Sequence, residues 1–366
     1  MSKLNIRRLT NENEDGAPSV SGIATFSSTA FLVPPTGTTA QRPEFVQPGM
    51  IRFNTDGAHL EYYNGVEWTE VLVANNDLDG GNRGLFGGGY VPGNSNVIDF
   101  ITISTIANAT DFGDLTSARF APTACSSSIR GLWGGGGFPA QGNIIDYITI
   151  SSTGNALDFG DITSTRRGLA ACSSSTRGLF AGGNTPTNVN TIDYVTISST
   201  GNAVLFGNLT QTKYGFSGCA SSTRGVFGGG YAPTATNTIE YITIETTGNA
   251  IDFGDLTDAR TDVSSCSSST RGLWGGGGLP AGRNIIDYVT IATTGNAIDF
   301  GDLTVARVNL TSCSSNLRGV FGGGNPGPSN VIDYVTISTT GNALDFGDLT
   351  VARYGFAACS NGHGGL

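Results

Sequence analysis

The 366-residue chain carries 55 glycines, many aromatic and β-branched residues, and a formal net charge of −10. That composition points to many strands and tight turns, and it argues against disorder or a collagen-like chain. With 19 Lys and Arg, nucleic acid is disfavoured as a partner, because phosphate binding needs clustered cations.

The opening residues, MSKLNIRRLTNENEDG, lack the apolar core of a signal peptide, and no stretch reaches the ~20 apolar residues of a membrane span. No membrane insertion is expected. Residues 1–48, rich in Ser, Thr, Pro and Gly over 17–48, read as an extended segment. Residues 49–74 read as a small three-stranded meander with strands over 50–54, 58–63 and 66–73. Asp56-Gly57 and Asn64-Gly65 supply the hairpin turns. So small a sheet buries little area alone and should pack on another copy, on the rest of the chain or on a partner. Residues 75–82 (NNDLDGGN) read as a linker.

From residue 83 the chain repeats. Arg-Gly recurs at Arg83, Arg130, Arg177, Arg224, Arg271 and Arg318, always 47 residues apart. Each of the six units reads approximately RGLFGGG, a variable turn, N-x-I-D-Y-V-T-I-S-T-T-G-N-A-x-D-F-G-D-L-T-x-A-R, and a short apolar segment ending in C-S-S-S-T. In the second unit strands are expected over 131–134, 144–151, 156–160 and 167–173, with turns at 152–155 and 161–166. Four short antiparallel strands per repeat match one blade of a β-propeller. The expected architecture is therefore all-β, a six-bladed propeller over 83–366. The first unit lacks an innermost strand and the last has one to spare, so residues 353–360 are expected to pair with the strands of 83–116 and close the ring.

The run RGLWGGGG at residues 130–137 and 271–278 raises the question of a phosphate loop. Such a loop opens a helix, whereas a strand pattern follows here and no Gly-Lys-Ser/Thr is present. The glycines are read as structural, allowing tight turns and close approach of neighbouring backbones. Each unit also carries one cysteine: Cys125, Cys172, Cys219, Cys266, Cys313 and Cys359. Equivalent positions on neighbouring blades should exceed the ~4.4–6.8 Å Cα separation of a disulfide, so all six are expected as free, buried, structural thiols. No Cys-x-x-Cys exists for zinc, and no cofactor is expected.

Arg119, Arg166, Arg260, Arg307 and Arg353 each follow an aspartate by five residues: Asp114, Asp161, Asp255, Asp302 and Asp348. In the third unit Asn208 and Lys213 replace both, and Leu205 replaces the other Asp of D-F-G-D. Acid and base weaken together, as in an ion pair. A solvated charged turn and a buried Arg–Asp pair both remain open. Two carboxylates on a short strand fall short of a calcium site, and six near-copies of a motif argue for architecture over catalysis. Both histidines, His59 and His363, are expected in surface or turn positions, too few for a histidine triad or copper site.

The repeats resemble kelch repeats in the apolar strand ending in glycines, the aromatic at Tyr147, Tyr194, Tyr241, Tyr288 and Tyr334, and the second aromatic at Phe112, Phe159, Phe206, Phe253, Phe300 and Phe346. The second aromatic is usually Trp in that family. Residues 34–68, PPTGTTAQRPEFVQPGMIRFNTDGAHLEYYNGVEW, resemble the N-terminal attachment region of tailed-phage fibres and related virion proteins. The opening MSKLNIRRL and residues 20–28 resemble marine cyanophage structural proteins. These resemblances imply a non-enzymatic virion component, assembled in the host cytoplasm. Residues 1–74 would dock on other virion proteins and form a homo-oligomer, with a trimer favoured. The propeller would bind a host-surface glycan or protein. A decoration protein with no receptor role is the alternative. An intracellular kelch scaffold or a propeller enzyme is disfavoured; the sialidase Ser-x-Asp-x-Gly-x-x-Trp turn is absent.

The turn after the glycines varies most between units: YVPGNS, GFPAQG, NTPTNV, YAPTAT, GLPAGR, NPGPS. Units three apart match, so this face should have an approximate two-fold axis, with Trp133 and Trp274 across the ring. Variable loops on a rigid scaffold are where binding resides. Tyr90, Phe138, Tyr231 and Leu279 are the expected apolar anchors, with Arg283 beside them.

Overall fold

The computed structural model describes residues 34–56, 59–70, 82–137, 140–278 and 281–366. The fold is all-β, with seven four-stranded sheets and a single turn of 3-10 helix among the described residues. The chain divides into two compact units, Met1–Asn75 and Asn76–Leu366.

The first unit holds one sheet. Ile51–Asn54, His59–Tyr63 and Trp68–Glu70 run antiparallel. The meander has a fourth strand that the hydrophobic pattern did not signal: Thr36–Gly37 pairs parallel to Ile51–Asn54. The expected strand over 66–73 starts later, because the Asn64 side chain accepts hydrogen bonds from the Val66 and Glu67 amides and holds 64–67 as a turn. Residues 71–73 of that expected strand, residues 75–81 of the linker and residues 1–33 of the extended segment lie outside the described residues.

The second unit holds the other six four-stranded sheets, compatible with a propeller-like repeat. Within the second repeat the strands are Arg130–Gly134, Ile144–Thr149 and Leu157–Asp161, hydrogen-bonded in that order, with Thr123–Ser126 on the free side of the first. Each sheet therefore begins with the strand that follows L-T-x-A-R. Three expected strands shift. The strand set at 144–151 ends at Thr149, where the chain turns, the one set at 156–160 moves one residue on, and the one set at 167–173 begins only at Ala170, after a bend at Gly168 with φ +64°. In the last two repeats the segment expected to turn continues as strand, Ile298–Arg307 and Leu344–Arg353. Those are the units with Val305 and Val351 at the x of L-T-x-A-R, where the others have Ser117, Ser164, Gln211 and Asp258. A β-branched residue there favours the extended backbone.

The remaining sheet takes strands from both ends of the unit. Ala357–Ser360 pairs antiparallel with Arg83–Gly87, which pairs with Val97–Thr102 and then Thr110–Asp114. Apolar cores form between one sheet and the next. Leu132, Ile145 and Phe159 of one pack on Phe180, Val195 and Ile197 of its successor. Phe346 and Ile332 pack in the same way on Phe86 and Ile101.

Cysteine and glycine are matched across these cores. A Cβ on Gly178 would lie 2.7 Å from the Cys125 Sγ, and one on Gly131 would lie 2.9 Å from the Cys359 Sγ. The thiol of one sheet fills the space that the Arg-Gly glycine of the next leaves empty. All six cysteines are free and buried. Burial pushes the Cys125 and Cys266 thiols up to about 12, so neither ionises or reacts at neutral pH. The glycine run has its own reason. Gly136 has φ +87°, and a Cβ there would meet the Pro122 nitrogen at 2.7 Å.

Removing residues 352–366 deletes the strand that Arg83–Gly87 pairs with and bares a sheet edge. The truncated chain is expected to aggregate or unfold well below the parent temperature, as read by size-exclusion chromatography and thermal melting. A monodisperse, equally stable product would refute this.

Candidate binding face

The repeated charges are structural clamps between sheets, and their partners differ from those the sequence spacing suggested. Arg119 does not pair with Asp114. Its guanidinium reaches Asp146 in the next sheet at 2.6 Å and donates to the Ile144 and Trp133 carbonyls. In the same way Arg166 pairs with Asp193, Arg260 with Asp287, Arg307 with Asp333, and Arg353 with Asp99. Each Asp belongs to the I-D-Y strand and is fully buried. Its second oxygen is met by the threonine of L-T-x-A-R: the Thr116 hydroxyl donates to Asp146 at 2.6 Å. Asp114, Asp161, Asp255, Asp302 and Asp348 act through their backbones. The Asp114 N–H donates to the Asn155 side chain of the next sheet, and its carbonyl accepts from Ala156. The D-F-G-D edge strand is thereby covered by the neighbouring G-N-A turn.

The exceptional unit confirms the pairing logic. Lys213 pairs with Glu240 at 2.6 Å, both fully buried. Lysine is shorter in reach than arginine, and glutamate is one methylene longer than aspartate. The sequence signal was there: I-E-Y replaces I-D-Y only in the unit that follows Lys213. Asn208 merely donates its N–H to Asn249, as Asp114 does to Asn155. Burial lowers the pKa of Lys213, and Glu240 works against that shift. Among the described residues no group of three or more His, Cys, Asp or Glu side chains is placed to hold a metal ion.

A second cation per repeat went unnoticed as a clamp. Arg130 stands over the ring of Tyr147 at 4.9 Å and donates to the Ile197 carbonyl of the next sheet. Arg83, Arg177, Arg224, Arg271 and Arg318 do likewise.

The loops after the glycines and the residues after L-T-x-A-R lie together. The N–H of Tyr90 donates to the Tyr354 carbonyl, and Tyr231 does the same to Tyr214. Tyr90 and Tyr231 are half-buried, with rings against Tyr354 at 5.5 Å and Tyr214 at 5.4 Å, and Tyr90 also abuts Phe120. They are therefore packed aromatics and not the freely exposed anchors expected. Phe138 and Leu279 lie outside the described residues. Arg283 makes a surface ion pair with Asp258 at 3.3 Å. Trp133 and Trp274 are fully buried between sheets, donating to the Ala357 and Ser217 carbonyls.

Inside these loops a backbone chain runs from sheet to sheet. Gly168 donates to Ala121, Gly215 to Gly168, Asp262 to Gly215, Asn309 to Asp262, Gly355 to Asn309, and Ala121 to Gly355. These six hydrogen bonds return to their start. Farther along the inner strands, the Ser173 hydroxyl donates to the Ser126 carbonyl at 2.8 Å and accepts the Ser126 N–H at 3.1 Å. Ser126, Ser267, Ser314 and Ser360 repeat the pattern, and Ala220 interrupts it. Residues 361–366 sit at this end. The His363 Nε2 lies 3.0 Å from the Ser126 carbonyl while its Nδ1 accepts the Gly365 N–H, which fixes the Nε2–H tautomer. His363 thus lies in the terminal turn, one of the positions expected, where it is half-buried and hydrogen-bonded, and burial lowers its pKa.

In the first unit the residues that carry the attachment-region resemblance converge on one carboxylate. Glu61 is fully buried and takes two hydrogen bonds from Arg42 and one from Asn54, with Arg52 at 3.4 Å. His59 lies 3.8 Å away. The Arg42 hydrogen bond is the main cause holding Glu61 below its ordinary 4.5. No protein-family model matches the chain, and no curated protein matches it.

The first sheet should therefore be acid-sensitive. A depressed carboxylate contributes stability above its unfolded pKa of 4.5, and that contribution is lost as pH falls through the lower folded value. Hydrogen-exchange protection of 51–63, corrected for the intrinsic pH dependence of amide exchange, should fall on acidification below about pH 4.5. Glu61→Gln should exchange faster at neutral pH and lose that dependence; an unchanged profile would refute the assignment. For the exceptional clamp, Lys213→Arg and Glu240→Asp should each cost about 1–3 kcal/mol through overpacking or a gap. The double variant should recover most of the loss in a denaturant double-mutant cycle. Additive losses would refute length compensation.

Proposed function

We propose that this protein is a non-enzymatic structural component of a tailed-phage virion. Its first unit docks on the particle and associates with further copies, and its second forms a closed six-bladed, kelch-like propeller that is displayed. The observation that carries the reading is the convergence of Arg42, Arg52 and Asn54 on Glu61. The residues of the attachment-like stretch form one cooperative polar core, which explains why they occur together. Self-association is supported by the faces of that sheet. The polar face is covered by the chain's own residues 38–42, whereas Ile51 and Tyr62 on the apolar face remain 53% and 38% exposed.

Closure into a ring is supported by the pairing of Ala357–Ser360 with Arg83–Gly87 and by the six backbone hydrogen bonds that return to their start. Display is supported by the two-fold match of loops, with the Tyr90–Tyr354 and Tyr214–Tyr231 pairs in units three apart.

Antibody-gold labelling of phage particles, imaged by electron microscopy, tests the assignment. Label at one fixed virion position is expected, lost when residues 34–70 are deleted. Particles that never carry label would overturn it.

A further inference from the structure

The outer rim of the repeat sheets carries an aliphatic residue that the fold does not bury. Leu157, Val204, Ile251, Ile298 and Leu344 are 52–61% exposed, each on the edge strand and each opposite the tyrosine of the I-D-Y strand. Identity drifts between Leu, Val and Ile, yet the class is kept. A nearby position, with Ser151, Ser198, Glu245, Ala292 and Ser338, is not held to one chemical class. The strand's backbone edge is covered by the neighbouring turn, but this side chain is not, and leaving the same apolar class exposed in five sheets points to a surface role rather than to packing.

At two of these positions the surface forms a recess of about 310 and 330 Å³. Tyr241, Thr246, Asn249 and Ile251 line one; Tyr334, Thr339, Asn342 and Leu344 line the other. The walls are preorganised. Arg224 covers one face of Tyr241 at 4.7 Å, and the Asn249 Oδ1 is held by the Asn208 N–H. The Asn249 and Asn342 amide N–H groups and the tyrosine hydroxyls donate to nothing among the described residues. Neither lining contains a charged side chain, although the molecule is strongly acidic. The first unit alone departs at these positions, with Phe100, Ile106, Ala107 and Thr110.

We propose that the rim is a multivalent binding site for a neutral polysaccharide, one sugar ring per recess. The volume is at the lower end of small-ligand sites. An aliphatic side chain beside an aromatic edge suits the C–H face of a pyranose, and unpaired amide and hydroxyl donors suit its hydroxyls. An uncharged lining on an acidic molecule selects against anionic polymers. The aliphatic–tyrosine pair recurs in five sheets, and such recurrence gives avidity toward a repeating chain. The site is separate from the loop face and does not depend on the virion assignment.

The test is binding of the purified full chain to immobilised dextran, mannan, galactan and alginate. Binding to at least one neutral polymer and not to alginate is expected, with the matching monosaccharide competing only near millimolar levels. Ile251→Ser alone should weaken binding only a few-fold. Serine at all five positions should weaken it about 100-fold or more by loss of avidity, with the circular dichroism spectrum unchanged. If the fivefold variant does not fold, the pair Ile251→Ser and Leu344→Ser should show an intermediate loss. Failure of all three neutral polymers, preference for alginate or for anionic vesicles, or undiminished binding by the folded variants would overturn the proposal. Virion labelling and this binding assay can fail independently.

Discussion

Each aspartate of the I-D-Y strands is a carboxylate with no access to water, and the placement of each sheet answers to it. A buried charge with no partner is untenable, since removing one member of such a pair costs ~3–5 kcal/mol. The sheet that carries Asp146 cannot satisfy it. The threonine and arginine of the preceding sheet's L-T-x-A-R segment do, and the same guanidinium also takes up the Ile144 carbonyl. Charge satisfaction therefore fixes the register between sheets, while the apolar cores supply the bulk of the burial. The clamp is not free of cost. The Nε–H of each of the five buried arginines has no hydrogen-bond partner. Such a network contributes specificity more plainly than net stability: a sheet shifted by one residue along its strands would strand both charges.

The repeat period, most strand positions and the pairing of the last strand with the first glycine strand were legible because each rests on local chemistry that recurs six times, although that strand, expected over 353–360, begins only at Ala357 and Arg353 ends the strand before it. The partners of the arginines were not legible from spacing. Asp114 stands five residues before Arg119 and invites a local pair, whereas the true partner is 27 residues downstream across a sheet boundary. Only the paired exception, Lys213 with Glu240, encoded that contact in the sequence. Tyr90 and Tyr231 were misjudged for a related reason. Their residue type and loop position suggest exposure, but the backbone bridges to Tyr354 and Tyr214 fold the rings back on neighbours. The fourth strand of the first sheet, Thr36–Gly37, has no hydrophobic alternation to announce it, since it is two residues long and is held through its backbone, with the Pro35 and Gly37 carbonyls accepting from Phe53 and Thr55.

The two units solve the burial problem in opposite ways. In the second, polar groups are spent between sheets and apolar side chains fill the layers. In the first, the covered face is the charged one, with Glu61 at its centre, and apolar residues are left facing out. A sheet of that size gains too little from its own burial to be stable through apolar contacts, so a hydrogen-bonded ion cluster provides local order while Ile51 and Tyr62 stay exposed.

The same economy constrains where a ligand can be met on the second unit. One end of the inner strands is spanned by the six backbone hydrogen bonds through Gly168, Gly215 and Gly355, and the other by residues 361–366. There a Cβ on Gly364 would come within 2.0 Å of the Ser268 carbonyl. The space between them consists of two small chambers of about 100 and 60 Å³, the larger bordered by residues such as Leu169, Phe216 and Ser264 and the smaller by the serines and cysteines of the C-S segments. That is room for ordered water but below the few hundred Å³ of a typical small-ligand site. The exposed aliphatic residues of five of the six sheets lie outside these chambers.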